Sequence, residues 1–276
     1  MEKMKFEREL RDFSQNDPGN VLAKDIALKP ELAGMRFFDE PLFGYADASD
    51  PLFTELKKPQ VIDSHYMLPG EWLEGVQTVI SFLFPFTDVV KQANGADMSW
   101  PALEWLHARI EGQEFIQKLC LYAMELLSNE GFTALMPVSD SRFTASNPDV
   151  QDKSQQAFYK SNWSERHTAY ICGMGTFGLS GGLISSKGSS GRYASLVTDA
   201  FFEPSRRAYT GIKEYCSGCG ACISNCPSKA ISAEKGKSHP VCSAFLNRTK
   251  EQYKPRYGCG KCLTKVPCES KIPLTY

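Results

Sequence analysis

The chain has 276 residues, 42% hydrophobic and 23% charged, which supplies an ordinary globular core and suggests about two domains. A formal net charge of −1 removes any bulk electrostatic case for nucleic acid or an anionic membrane surface. The charged N-terminus lacks the apolar core of a signal peptide, and the longest apolar run, Val79 to Phe86, is too short to cross a bilayer, so a soluble cytoplasmic protein is expected.

Residues 1–70 carry few regular signals. Phe6 to Phe13 reads as a short helix, broken by Asp17, Pro18 and Gly19, and the aromatic, Pro-rich stretch after it reads as an irregular covering segment. Gln77 to Phe84 is a continuous apolar, β-branched and aromatic run closed by Pro85, the pattern of a buried strand. A helix is expected from about Pro101, with Ser99 as cap, because Leu103, Leu106, Ile110, Ile116, Leu119, Ala123 and Leu127 recur at helical spacing; Gly131 ends it. Cys120 lies on that stripe and reads as a buried thiol, while His65, His107 and His239 read as isolated, satisfied histidines. Phe132 to Val138 reads as a second strand. A polar segment from Ser139 to Ser164 reads as a long loop, the kind that tends to be functional or mobile. Ser164 to Cys172 reads as a helix stopped by Gly173; Gly181–Ile184 and Tyr193–Thr198 read as strands, and Pro204 to Gly211 as a linker.

The strongest signal follows the linker. Cys216, Cys219, Cys222 and Cys226, with Pro227 behind them, form C-x2-C-x2-C-x3-C-P, the run by which bacterial ferredoxins hold [4Fe–4S] clusters. In two-cluster proteins the fourth cysteine of this run serves the other cubane. A second set, Cys242, Cys259, Cys262 and Cys268, completes four thiolates for each of two cubanes. The expected division is Cys216, Cys219, Cys222 and Cys268 on one cluster, and Cys226, Cys242, Cys259 and Cys262 on the other. Structural zinc usually shows two separated C-x2-C pairs, and disulfides need an oxidising compartment, so both fit less well. Cys268 departs from pattern: five residues separate it from Cys262, and Glu269 stands where a proline is usual.

Gly173, Gly175 and Gly178 match G-x-G-x-x-G, but a dinucleotide fingerprint needs a strand before it and a helix after. Here a helix runs in and a strand runs out, which argues against NAD. Gly173, Gly175, Gly178, Gly181 and Gly182 place five glycines in ten residues, which suggests backbone pressed against a large flat ligand. Together with Ser164 to His167, Gly182 to Ile184, Thr198-Asp199 and the cysteine run, this loop resembles the epoxyqueuosine reductases and the related reductive dehalogenases. The resemblance is good over about residues 160–270, fair over 77–138 and weak before that.

The resemblance implies an α/β (α+β) fold: a nitroreductase-like corrinoid and substrate domain over residues 1–208, then a two-cluster ferredoxin-like domain over residues 209–276. It implies cobalamin beside the two [4Fe–4S] clusters, with FMN as second choice, and Glu165, Arg166, His167, Gly173, Gly175, Gly178 and Ser180 as cofactor contacts. It implies a cytoplasmic iron–sulfur oxidoreductase that takes electrons from a low-potential ferredoxin or flavodoxin and reduces a small molecule through the corrinoid. The proton donor of the reductases is an Asp six residues before the E-R glutamate. That position is Tyr159 here, and Asp140 lies beyond an insertion, so Asp140 and Tyr159 are the candidate donors. The helical-repeat domain that helps longer relatives hold tRNA is not in the sequence, and with the net charge this speaks against tRNA as partner. Two other readings stay open: an electron carrier or reductive activator without its own substrate, and a flavin-holding iron–sulfur reductase.

Overall fold

The computed structural model describes residues 2–146 and 160–274. Helix α1 (Lys3–Asn16) leads to strand β1 (Leu42–Asp47), the short helices α2 (Pro51–Glu55) and α3 (Pro69–Trp72), and strand β2 (Thr78–Pro85). Helices α4 (Asp88–Ala96) and α5 (Leu103–Asn129) follow, then β3 (Ala134–Leu135), β4 (Ala145–Ser146) and β5 (Lys160–Ser161). Helix α6 (Glu165–Ile171) enters the hairpin β6 (Gly175–Phe177) and β7 (Leu183–Ser185), and β8 (Gly191–Thr198) returns to the main sheet. The C-terminal part holds α7 (Ala221–Ser224), the hairpin β9 (Ile231–Ser232) and β10 (Gly236–Lys237), and α8 (His239–Tyr253). Among the described residues no helix is long and apolar enough to cross a membrane.

The main sheet runs β1-β2-β8-β3 and every pairing in it is antiparallel, with Thr78 opposite Thr198 and Pro85 opposite Gly191. All eight residues of β2 are buried, so both faces of the sheet must be covered. The period of two divides them. Ile80, Phe82 and Phe84 pack into one core with α1 and α5, whereas Val79 and Leu83 pack into a second with α6 and Trp163. A third, smaller core joins Cys222, Cys226, Ala230, Ile231 and Val266 in the C-terminal part. The mixed helix–strand composition and the separate C-terminal cluster unit agree with the α+β expectation.

Three elements differ from the sequence reading. Strand β1 sits in the supposed covering segment, hidden by the break that Gly44 makes in its pattern. That glycine is required by close approach: a Cβ there would lie 2.5 Å from the carbonyl oxygen of Cys172 and 2.5 Å from Cγ of Met174. The strand expected over 132–138 is only β3, because Pro137 has no N–H for the ladder and opens a 3-10 turn. Ser99 bonds Asp97 instead of capping α5, which starts at Leu103, two residues after the expected proline signal at Pro101, without a side-chain cap. His107 is a satisfied core histidine, as expected: its Nε2 accepts from the N–H of Leu28 at 3.1 Å and its Nδ1 lies 3.0 Å from Glu111.

Gly44→Ala should lower unfolding stability by about 1–3 kcal/mol, since β1 must move off the α6 exit to fit one methyl. Urea unfolding followed by tryptophan fluorescence measures this, and an unchanged midpoint would contradict the packing described.

Candidate iron–sulfur and acceptor site

The two cysteine sets are built by the same local device. Cys219-Gly220-Ala221-Cys222 and Cys259-Gly260-Lys261-Cys262 each place glycine in the left-handed region, at φ +73° and +69°, and each then starts a helical turn. The reversal aims both cysteines of each pair to one side, a conformation a side-chain-bearing residue adopts only with strain.

Cys216, Cys219, Cys222 and Cys268 line one cavity of about 340 Å³ with Leu179 and Val266. Cys226, Cys242, Cys259 and Cys262 line a second, of about 790 Å³. These are the two groups of four expected from the spacing, and Cys268 joins the first despite its irregular distance. Among the described residues no three Cys, His, Asp or Glu side chains converge as a single ion would need, so the thiols surround volumes instead of points. Burial first, then Cys262, Cys268, Cys216 and Cys219, push the Cys222 thiol up to about 11; burial pushes Cys259 up to about 12. Such thiols become thiolates most readily beside a positive core, which an iron–sulfur cubane supplies. Hydrogen bonds already point at the sulfurs: Cys226 Sγ accepts from the N–H of Ala230 at 3.2 Å, and Ser189 Oγ donates to Cys268 Sγ at 3.7 Å. The residues present therefore fit two [4Fe–4S] clusters. Cys120 and Cys172 are buried elsewhere, as structural thiols.

The body of the protein grips the second set through a polar hub invisible in the sequence. Lys261 is fully buried, and its Nζ donates to the carbonyl and Oδ1 of Asn94 at 2.5 and 2.8 Å. Asn94 Nδ2 donates in turn to the carbonyl of Cys259 at 3.0 Å and to Thr264 Oγ1 at 3.1 Å. Cations complete the surroundings. Arg109, Arg166, Arg192 and Lys237 all line the second cavity. Burial, then Arg109 and Arg166, pull Arg192 down to about 9, which leaves it charged at neutral pH. Burial works against the charge of Lys237, but Cys262 and Cys242 outweigh it and its pKa rises.

The residues transferred from the resemblance do not converge on one place. Gly178 and Ser180 line the first cysteine cavity, and Arg166 lines the second. The empty side of Gly175 is filled by protein: a Cβ there would lie 2.0 Å from the carbonyl oxygen of Ile184, across the β6–β7 hairpin. At Gly173 the neighbours are Ser205 and Arg206, and at Gly178 the side chain of Ile184. The Cβ directions of Gly173, Gly175 and Gly178 are thus taken up by hairpin and linker packing, whereas at Gly181 only the Lys237 side chain comes as near as 4.0 Å.

Glu165 carries the most unusual carboxyl group near the site. Its Oε2 accepts from Ser195 Oγ at 2.6 Å, and Ser195 Oγ accepts from Trp163 Nε1 at 2.8 Å. Oε1 is enclosed with no hydrogen-bond partner among the described residues. Burial raises this carboxyl from its ordinary 4.5 to about 7, against the opposing pull of Ser195 and Arg192. His167 bonds Ser164 Oγ at 2.8 Å and packs on Phe177; burial, then Arg166, lower it to about 4, so it is neutral. Asp140 is engaged elsewhere. Arg142 grips it with two nitrogens at 2.8 and 2.9 Å and anchors in turn on the carbonyls of Glu71 and Trp72. The Arg142 hydrogen bonds hold Asp140 at about 2, which makes it a poor proton donor near neutrality. Tyr159 lies outside the described residues.

A 4Fe-4S binding domain model matches residues 209–232. Epoxyqueuosine reductase of Bacillus cereus is 29% identical over 130 residues, 44% of this chain and 33% of that protein. Tetrachloroethene reductive dehalogenase of Dehalobacter restrictus is 39% identical over 68 residues, 24% of this chain and 12% of that one. These segments make the chain similar to the epoxyqueuosine reductases and the reductive dehalogenases. A solved epoxyqueuosine reductase bearing an epoxyqueuosine-modified tRNA stem loop has the same fold, with a TM-score of 0.52 and 16% identity over 98% of this chain and 67% of that one. The expectation against a tRNA partner finds no support in these comparisons. The matched segments span a third or less of the curated relatives' length.

Two measurements check the site. Cys259→Ala with Cys262→Ala should leave about four irons per chain, and Cys216→Ala with Cys219→Ala should do the same, since each pair serves a different cavity. Loss of all iron in both would contradict the division. For Glu165, the folded carboxyl keeps its proton to about pH 7 while the unfolded one releases it near 4.5, so the native state binds more protons between these values. Stability must then fall as pH rises through that window. Glu165→Gln should flatten that part of the thermal-unfolding profile; a slope equal to the parent's would contradict the assignment.

Proposed function

We propose that the chain is an iron–sulfur reductase that moves single electrons through two [4Fe–4S] clusters to an acceptor bound against the second one. The observation that carries this reading is the pair of four-cysteine cavities, of which the second opens through a wall of cations onto the α/β body. In this reading residues 209–276 form the electron-transfer unit and residues 1–208 the acceptor and substrate unit. A low-potential ferredoxin or flavodoxin of a reducing cytoplasm supplies the electrons.

The corrinoid implied by the resemblance is the proposed acceptor. When bound it would supply cobalt, a strong one-electron reductant and nucleophile. Of the transferred contacts, Arg166 lines the second cavity, and Gly178 and Ser180 line the first. The chain's own residues do the remaining work. Asn94 and Lys261 fix the Cys259–Cys262 turn, and Arg109, Arg192 and Lys237 offset the negative charge of the second cluster. Glu165, at about 7, holds a proton on its enclosed carboxyl group and takes the place of Asp140 as the proposed proton source. The substrate is a small molecule or a modified base on tRNA, and a gel-shift with a tRNA stem loop separates the two.

Anaerobic reconstitution with iron, sulfide and cobalamin tests the reading. About eight irons and about one cobalt per chain are expected. About eight irons without cobalt would remove the corrinoid and leave an electron-transfer or flavin protein. Fewer than about four irons would defeat the reductase itself.

A further inference from the structure

Each of the two cavities presents four cysteines, and the second is the larger. Apolar and small residues wall the rest of the first. The second has an additional wall from the α/β body, formed by Phe86, Trp105, Arg109, Arg166 and Arg192, and the space along it is the surplus.

That wall is positively charged and not internally neutralised. Among the described residues no Asp or Glu lines the cavity. Arg192 donates to the neutral amide oxygen of Gln113. Arg109 lies over the Tyr257 ring at 4.4 Å, and its buried Nε has no hydrogen-bond partner among the described residues. Glu165 accepts from Ser195, and no hydrogen bond or ion pair joins it to Arg192 among the described residues. A [4Fe–4S] cluster with four thiolates carries about −2 when oxidised, which leaves roughly half of the charge of the four cations unmatched. Arg166 is exposed, but Arg109, Arg192 and Lys237 are partly buried, and partly buried charge without a counter-ion favours a second anion.

We propose that the surplus space binds an oxyanion-bearing substrate, a carboxylate or phosphate, held by Arg109 and Arg192 with Arg166 at the wall, against the second cluster. This rests on the iron–sulfur reductase reading and names the substrate class for that site. The guanidinium forks match the geometry of a carboxylate or phosphate, and the rings of Phe86 and Trp105 offer a flat apolar surface to the rest of the molecule.

The test uses reconstituted holoprotein in which iron has been counted. Inorganic phosphate and, separately, malonate are titrated in by calorimetry, and EPR of the reduced protein is recorded with and without each. Saturable binding of either anion, with a change in one of the two cluster signals, is expected; phosphate alone, malonate alone or both would assign the oxyanion. Arg109→Gln and Arg192→Gln should each weaken binding by about tenfold or more while keeping the iron, and Lys118→Gln on the far surface should leave it unchanged. No binding of either anion, or affinity equal to the parent's in both arginine variants, would overturn the proposal. Should one variant lose iron, the other and the parent's EPR change still decide it. A parent protein with fewer than about four irons would instead defeat the reductase reading, and this proposal with it.

Discussion

Burial raises the thiols of Cys222, Cys259, Cys262 and Cys268, so these four favour positive charge brought close to them. That electrostatic constraint organises the C-terminal part and much of what touches it. Burial and mutual repulsion push Cys222 and Cys259 well above an ordinary thiol, so each cavity is poorly matched to protonated cysteine and well matched to a cationic iron–sulfur core. The surrounding cations distinguish the sites. The second cavity has four, Arg109, Arg166, Arg192 and Lys237, whereas the first has none in its lining. Charge and hydrogen bonds at the sulfurs set cluster potentials, so electrons are expected to settle in the second cluster, beside the acceptor.

The α/β body contacts the second cysteine set through several side chains. Helix α4 delivers Asn94 to the Cys259–Cys262 turn, and α5 delivers Trp105 against Gly260 and Glu111 against Arg256 at 2.6 Å. The first set is tied by the loop before β8, where Ser189 meets Cys268 and a Cβ on Gly188 would strike the backbone of Glu269. Buried polar contacts of this kind are costly unless complete. Here Lys261 and Asn94 satisfy each other, so the register between body and cluster turn is fixed by hydrogen bonds as well as by apolar contact.

Much of this was legible in the sequence because it is local. The cysteine spacing is a short-range code, and it foretold which four thiols share a cavity; the 3.6-residue stripe of α5 and the apolar run of β2 are equally local. Long-range requirements were not legible. Gly44 reads as a strand breaker, yet it permits β1 to approach Cys172. Gly173, Gly175 and Gly178 read as part of a ligand cradle, and no spacing rule shows that Ile184, Ser205 and Arg206 pack against them. Asp140 reads as a proton donor until Arg142, two residues on, is seen to hold it ionised. Glu165 was singled out by resemblance as a cofactor contact; its near-neutral carboxyl depends on enclosure and on Ser195, thirty residues away, which no spacing rule encodes.

The claim on which the rest depends is that each chain holds two cubanes. Mössbauer spectroscopy of protein reconstituted anaerobically with iron-57 addresses it most directly. The account predicts that essentially all iron appears as [4Fe–4S] clusters, at about eight irons per chain, and that the Cys259→Ala, Cys262→Ala variant retains half of it in the same form. Iron found chiefly as mononuclear or [2Fe–2S] species in the parent protein would contradict it.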